Sequence, residues 1–434
     1  MQNGLSGGLL RAQGIAVLRG VLDSPVARNF LALLDLLSRD KPDPAILADT
    51  FGRLWEALAL ESDRLLPDAW QSYLVGRIFD DENAFSLGAE RGILTTAVLE
   101  QSRRDLRTLQ ALFELDAPAL LTAVEDAVPG LSGIWVPWTE PDSGTETPRH
   151  NIARKLASAE RWEDCAELLA GHYAWHGVGM FGRDRAFRWE NEGLLPVTHP
   201  DPVRLSGFVG YEGEREPLIR NTERFLAGLP AHHALLYGLP GTGKSSTVKA
   251  ILNEYADQGL RLVEVKKEDL AGLPRVLDVL RRRGPRFILF VDDLSFEEHE
   301  VEYKALKALL EGSVAEPPEN VRIYATSNRR NIVRESFSDR EGAGSTGDDV
   351  HAKDTMQEKL SLVARFGLRL TLPPPDRKLY LEIVTGLARD RGLKIPAEEL
   401  VERASRWDQW HAGRSGRTAR QFVDDLEAEL ADSG

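Results

Sequence analysis

The stretch Gly238-Leu-Pro-Gly-Thr-Gly-Lys244-Ser245 decides how the second half of this chain folds. It matches the pattern G-x-x-x-x-G-K-[ST] at every fixed position. An apolar segment at 234–237 runs directly into it, and apolar residues at helical spacing follow. Glycines let successive backbone N–H groups turn toward a phosphate, and the helix N-terminus adds partial positive charge. The sequence therefore predicts a nucleotide phosphate site on a strand–loop–helix unit.

Each residue of this loop has an expected task. Lys244 is expected to reach the β- and γ-phosphates, and the Ser245 hydroxyl is expected to ligate Mg²⁺. The residues predicted to surround the phosphates are Gly238, Leu239, Pro240, Gly241, Thr242, Gly243, Lys244, Ser245 and Ser246. ATP with Mg²⁺ is the predicted cofactor pair.

A second cluster of charge follows five apolar residues at 287–291, which lead into Asp292 and Asp293. A buried strand would bring both carboxylates to the edge of the sheet where ligands of open α/β folds bind. Asp292 is predicted to hold magnesium through water, and Asp293 to orient or deprotonate the attacking water. Such a pair can also simply end a strand and cap a turn. The preceding phosphate loop favours the catalytic interpretation.

Short apolar segments alternate with helical stretches around these motifs. The predicted strands are 234–237, 262–265, 287–291, 322–326 and 368–372. This alternation indicates an α/β fold with a five-stranded parallel sheet, covered by helices on both faces. After three prolines at 373–375 the chain turns helical, which predicts a helical lid over 373–434.

The first half of the chain has a different pattern. Apolar residues recur at helical spacing up to about residue 130, and the Trp- and Pro-containing stretch 135–149 is predicted to be a loop. A proline-containing linker at 195–202 separates a mostly helical domain, 1–200, from the core, 201–372. The aromatic segment 175–189 could form a ligand platform, but packing against the next domain is favoured.

Composition limits the possible partners and location. The 434 residues carry a formal net charge of −14, which argues against general binding of polyanions. The single cysteine, Cys165, allows no disulfide within the chain and is expected to be a small packed side chain. Arg11 interrupts the apolar start of the chain, and no run of eighteen apolar residues occurs. We therefore expect neither a signal peptide nor a membrane span, and we predict a cytoplasmic protein.

Taken together, these motifs resemble those of AAA+ ATPases over residues 203–430. Phe208–Arg215 is similar to the segment near the adenine in that superfamily, and three further segments follow in the expected order. The resemblance implies that Asn328 senses the γ-phosphate and that Arg365 is an arginine finger. It also implies that Arg417, or Arg420 three residues on, is the second sensor, with Arg417 preferred because it follows Ser415-Gly. Asn328 could instead cap a turn, and Arg365 could be a surface arginine.

The chain is more closely similar to the bacterial DUF815 family of uncharacterised AAA+ proteins. The signatures that carry this likeness are Asp292-Asp-Leu-Ser-Phe-Glu297, Thr326-Ser-Asn-Arg-Arg330 and Glu358-Lys-Leu-Ser. The likeness implies ATP use and this fold, without a settled biological role. Many related ATPases have Glu where this chain has Asp293, so slow hydrolysis is expected.

Two features separate the chain from protein-unfolding members, and a third stretch has a distinctive composition. The stretch 266–272 contains no aromatic-apolar-Gly pore loop. The basic run Arg281–Arg286 could touch nucleic acid or an acidic neighbouring subunit, but a solvated helix end is favoured. The Gly- and Asp-rich stretch 338–355 is predicted to be a mobile insert that reports nucleotide state.

Three functional hypotheses follow. The leading one is a homo-oligomeric ATPase, in rings or arcs, that remodels a protein partner. The alternative is a nucleotide-switched adaptor or loader with slow hydrolysis. A DNA-associated replication or repair factor is a third hypothesis, disfavoured by the acidic charge and by the lack of a recognisable DNA-reading motif.

Overall fold

The structure is a computed structural model that describes residues 2–61, 63–141, 144, 146–294, 306, 310, 318–328, 361–410 and 413–432. These residues divide into two compact units. Unit 1 comprises 1–183 with 283–285, and unit 2 comprises 184–282 with 286–434. The insert predicted at 338–355 lies outside the described residues, as do residues 297, 330 and 358–360 of the DUF815 signatures.

Unit 1 is helical, as predicted. Its helices are α1 (Gln2–Gln13), α2 (Pro25–Leu37), α3 (Pro44–Ala59), α4 (Ala69–Asp80), α5 (Ala84–Glu90), α6 (Thr96–Phe113), α7 (Ala117–Ala127), α8 (Pro148–Ser158), α9 (Ala166–His176) and α10 (Met180–Arg183). Many begin at a side chain that caps the first turn, as Ser24 does for α2 and Asn83 for α5. Their apolar faces meet in one core, in which Trp70 stacks on Phe30 and against which Cys165 packs half-buried.

Arg283 does not fit the prediction that the basic run Arg281–Arg286 is a solvated helix end. Its side chain is only 10% exposed and lies within unit 1, where Nε donates to Glu90 Oε1 at 2.9 Å. Gly284 N donates to the same oxygen at 2.9 Å. Burial raises the pKa of the Glu90 carboxyl above its usual range, while the Arg283 charge opposes that shift. This arginine is therefore engaged in a buried ion pair rather than offered to solvent.

Unit 2 is built on a seven-stranded sheet. Its strands are β1 (Ala186–Glu190), β2 (Gly193–Pro196), β3 (Ala234–Gly238), β4 (Leu260–Val265), β5 (Arg286–Val291), β6 (Val321–Ser327) and β7 (Leu368–Leu372). They lie in the order β2-β1-β4-β5-β6-β3-β7, and every neighbouring pair is parallel except β1 and β2. Strand β6 thus lies between the strand that enters the phosphate loop and the strand that ends at Asp292.

Helices complete unit 2. They are α11 (Glu212–Leu226), α12 (Lys244–Tyr255), α13 (Leu273–Arg281), α14 (Arg377–Asp390), α15 (Ala397–Trp410) and α16 (Gly416–Asp432). Apolar residues of α11 and α12 pack on one face of the sheet, whereas α14, α15 and α16 share a separate core. The predicted α/β fold with a mostly parallel sheet and helical C-terminal region is confirmed.

The five strands predicted from the sequence are all present, but the sheet is larger than predicted. Strands β1 and β2 extend it beyond β4, joined by a turn in which Asn191 and Glu192 adopt φ values of 50° and 61°. Two aromatic residues of the segment 175–189 belong to this extension, where Phe187 and Trp189 are buried on β1, whereas Trp175 and Phe181 lie on α9 and α10 of unit 1. Unit 2 includes these two strands and therefore begins at Asp184, before the linker 195–202 at which the sequence predicts the domain boundary.

The extension of the sheet leads to a prediction about truncated fragments of the chain. A fragment of residues 184–434 is expected to fold cooperatively, whereas a fragment of 201–434 loses β1 and β2 and exposes the edge of β4. Losing a few kcal/mol of strand packing should lower its melting temperature by about 5–10 °C or cause aggregation. Calorimetry of the two fragments checks this. Equal melting temperatures would instead support independent folding of the core from residue 201.

Candidate functional site

The loop between β3 and α12 has a backbone that only glycine accommodates well. Gly241 and Gly243 adopt φ values of 82° and 90°, in the left-handed region. A Cβ on Gly238 would collide with the Leu372 carbonyl oxygen and lie 2.8 Å from Thr242 Oγ1. The loop therefore closes tightly at the N-terminus of α12, where backbone N–H groups and the helix dipole favour an anion.

Lys244 lies in this loop with only 5% of its surface exposed. Its Nζ donates to the Gly238 carbonyl at 2.8 Å, the Leu239 carbonyl at 3.0 Å and Asn328 Oδ1 at 2.8 Å. Burial lowers the pKa of the Lys244 ammonium, whereas the Asp292 and Asp293 charges oppose that shift. The loop thus holds a desolvated cation whose interaction with an anion is strong.

Asp292 follows β5 and lies across from Ser245. Its Oδ1 accepts three hydrogen bonds, from Ser245 Oγ at 2.6 Å, Thr326 Oγ1 at 2.5 Å and Asp293 N at 3.2 Å. Because all three donors converge on one oxygen, the carboxylate has a fixed orientation. The hydroxyl and carboxylate paired here are hard oxygen ligands, as Mg²⁺ prefers.

Asp293 has a backbone conformation that is uncommon outside glycine, with a φ of 51°. Its N–H donates to Thr326 Oγ1 at 2.9 Å, and its Oδ1 accepts from Asn328 Nδ2 at 2.5 Å. The Asn328 amide therefore joins Lys244 through its oxygen and Asp293 through its nitrogen. Asp293 is exposed, so water can reach its carboxylate.

Thr326 is the contact residue to which the sequence assigned no role. It is 1% exposed on β6 and bonds both acidic residues through one hydroxyl. The available signals were its place one residue from the end of β6, shortly before Asn328, and its position at the start of the signature Thr326-Ser-Asn-Arg-Arg330. A threonine in a buried strand is nevertheless ordinary, because its β-branched side chain suits a pleated sheet.

The lid brings Ser415 and Arg417 to the phosphate loop. Gly416 N donates to the Gly241 carbonyl at 2.9 Å, and Arg417 Cβ would lie 3.2 Å from a Cβ placed on Gly241. The Arg417 charge also contributes to the lowered pKa of Lys244. The described contacts place Arg417 at the loop and give no such contact for Arg420, while the sensor role itself stays a prediction.

Arg365 is not brought to this cluster. It lies three residues before β7, whose Leu368 pairs with Ala234 at the start of β3 and whose Leu372 pairs with Gly238. About 13 Å of strand separates Leu368 from Leu372. Because Arg365 precedes Leu368, it lies toward the edge of the sheet opposite its own phosphate loop, and it is exposed.

The segment 208–215 contacts both the loop and the lid. The Phe208 ring would lie 3.6 Å from a Cβ on Gly243, and Tyr211 Oη donates to the Pro373 carbonyl at 2.6 Å. A Cβ on Gly386 would collide with Val209. This is the segment expected near the adenine, and it is held at the junction of the core and α14.

The residues present fit ATP with Mg²⁺. Side chains on two glycines of the loop, Gly238 and Gly241, would collide with neighbouring atoms. Lys244 supplies a buried cation, and Ser245 and Asp292 offer the oxygen ligands expected of a magnesium site. These groups come from the ends of β3 and β5 and from the start of α12. The predicted assignments of individual residues to phosphate or metal stay predictions.

Comparison with known proteins gives a family and a set of structural likenesses. A family model described as "Protein of unknown function (DUF815)" matches residues 182–430. A search of curated proteins found no match. No helix in the described part of the chain is long and apolar enough to cross a membrane.

The solved structures to which this chain is similar include the RuvB Holliday junction branch migration motor of Thermotoga maritima. It is 21% identical, covers 54% of this chain and 66% of the motor, and has a TM-score of 0.36. Two single-site mutants of that motor show 20% and 18% identity, each with a TM-score of 0.37; each match covers 54% of this chain and 66% or 67% of the motor. The fold assignment itself rests on the strand order of this chain.

Proposed function

The chain belongs to the DUF815 family, and we propose that it is a Mg²⁺-dependent ATPase whose site is the cluster around Lys244. One observation carries the proposal. A single hydrogen-bonded network joins Lys244, Ser245, Asp292, Asp293 and Asn328 at the carboxyl edge of the parallel sheet. That edge is where open α/β sheets bind ligands.

The proposed roles follow from charge and position. Lys244 and the loop N–H groups hold the β- and γ-phosphates, because a buried ammonium pairs strongly with an anion. Ser245 and Asp292 hold Mg²⁺, which neutralises phosphate charge when bound. Asp293 orients the attacking water and accepts its proton, while Asn328 holds the Asp293 carboxylate and contacts the γ-phosphate. Arg417 contacts the same phosphate from the lid.

The exchange of Asp293 for Asn tests the hydrolytic part of this proposal. Asp293→Asn keeps the shape of the side chain but cannot accept a proton, so we expect ATP binding to persist and phosphate release to fall at least about 100-fold. Steady-state phosphate release and calorimetric ATP binding are measured together. Asp390→Asn, at the exposed end of α14, is the matched control and should hydrolyse ATP normally. Hydrolysis by Asp293→Asn at the wild-type rate would exclude Asp293 as the base.

We further propose that the ATPase forms a homo-oligomer and remodels a protein partner. A nucleotide-switched adaptor or loader is the second candidate, favoured by one observation. Asp293 is a short acid in a left-handed backbone conformation, with its carboxylate bonded to Asn328. Such an arrangement suits slow hydrolysis that only resets a switch. Wild-type turnover well below the 1–10³ s⁻¹ typical of enzymes, roughly a few per hour, would favour the switch.

A further inference from the structure

We propose that Thr326 is the positioning residue that fixes Asp292 for magnesium and sets the backbone of Asp293. This inference rests on the proposed nucleotide site and adds a residue to it. Thr326 lies on β6, which is hydrogen-bonded to both β3 and β5. The Thr326 side chain reaches the acidic pair from this strand, since its hydroxyl bonds both Asp292 and Asp293.

The Thr326 hydroxyl makes two hydrogen bonds, one as the donor and one as the acceptor. It donates its hydrogen to Asp292 Oδ1 at 2.5 Å and accepts the Asp293 N–H at 2.9 Å. At 1% exposure there is little solvent to replace either bond. Only a hydroxyl both donates and accepts at this size, so serine could substitute whereas the isosteric valine could not.

Magnesium makes the Thr326 bond more important. In the structure Asp292 Oδ1 accepts from both Ser245 Oγ and Thr326 Oγ1. Ser245 is also the predicted metal ligand, so its hydroxyl is shared between the carboxylate and the cation. The Thr326 hydroxyl donates its hydrogen to the carboxylate alone, so this bond would keep the Asp292 orientation fixed when Ser245 binds the metal.

Thr326 also holds the turn that follows. Its hydroxyl accepts from Asp293 N, and its carbonyl accepts from Leu294 N at 2.7 Å. These two bonds lie on either side of the left-handed Asp293, a backbone conformation that is unfavourable in a non-glycine residue. Loss of the hydroxyl would free the Asp293 backbone and disorder the water-orienting carboxylate.

The test uses three variants of the full chain. Thr326→Val removes the hydroxyl at constant volume, and Thr326→Ser keeps it. Thr222→Val is the matched control, because the Thr222 hydroxyl is also buried and bonds the Leu218 carbonyl and Tyr324 Oη away from the site. The readouts are the affinity for the fluorescent analogue mant-ADP with and without Mg²⁺, and ATP hydrolysis.

Without Mg²⁺, we expect Thr326→Val to bind mant-ADP with wild-type affinity. With Mg²⁺, we expect its affinity for mant-ADP to be about tenfold or more below that of wild type. Thr326→Ser and Thr222→Val should stay within about threefold of wild type in both readouts. A wild-type Mg²⁺ gain in Thr326→Val, equal losses in Thr326→Ser, or no Mg²⁺ gain in wild type would each overturn the inference. Absence of hydrolysis in wild type would defeat only the proposed ATPase activity, because the Mg²⁺ readout still decides the role of Thr326.

Discussion

Arg365→Ala is expected to bind ATP like the wild type and to hydrolyse it about 10³–10⁵-fold more slowly, the range for loss of an arginine finger. Arg365 lies toward the edge of the sheet opposite its own phosphate loop, with Leu368 paired to the first residue of β3. We propose that a guanidinium there serves the site of a neighbouring subunit. The proposal therefore requires an oligomer while ATP is bound.

Mixing two inactive variants tests this arrangement. Arg365→Ala retains a sound Asp293, and Asp293→Asn retains a sound Arg365. Mixed oligomers should contain some sites with both residues intact, so phosphate release should reappear on mixing. The matched control is Arg389→Ala, an exposed arginine at the end of α14, which should be active alone. No recovery in mixed oligomers confirmed by mass would show that Arg365 does not act in trans.

Lys244→Ala is expected to weaken ATP binding by at least about 100-fold, because the phosphates lose a buried cation and its charge-assisted bonds. The backbone of the loop also loses support, since Lys244 Nζ bonds the Gly238 and Leu239 carbonyls. Calorimetric titration of wild type and variant with MgATP measures the difference.

Lys249→Ala supplies the matched control on the same helix. Its side chain is 42% exposed and reaches Asp201 Oδ2 at 3.7 Å, so its removal should leave ATP affinity unchanged. Near-equal affinities of Lys244→Ala and wild type would refute the assignment of the phosphate loop.

Local sequence was sufficient for the elements that carry the phosphate loop and the acidic pair. In each case an apolar strand runs directly into the functional residues, so motif and secondary structure reinforce one another. Lys244, Ser245 and Asp292 belong to one hydrogen-bonded network at the ends of those strands, while their roles stay predictions. Asn328 also meets them, because β6 ends beside β3 and β5.

Contacts that depend on strand order could not be predicted in the same way. Thr326 meets Asp292 only because β6 is hydrogen-bonded to β5, and the signature that begins at Thr326 does not say what its hydroxyl contacts. Strands β1 and β2 were missed because Phe187 and Trp189 suggest packing without specifying a partner, and their pairing with β4 spans about 75 residues of sequence. The side-chain pairing of Arg283 with Glu90 is similarly remote along the chain.

The most direct test of the central claim is a calorimetric titration of the wild-type chain with ATP, with and without Mg²⁺. The site predicts one ATP per chain, with a dissociation constant of about 1 mM or tighter and with affinity that rises when Mg²⁺ is present. No binding of ATP by the folded chain at millimolar concentrations, with Mg²⁺ present, would contradict the account.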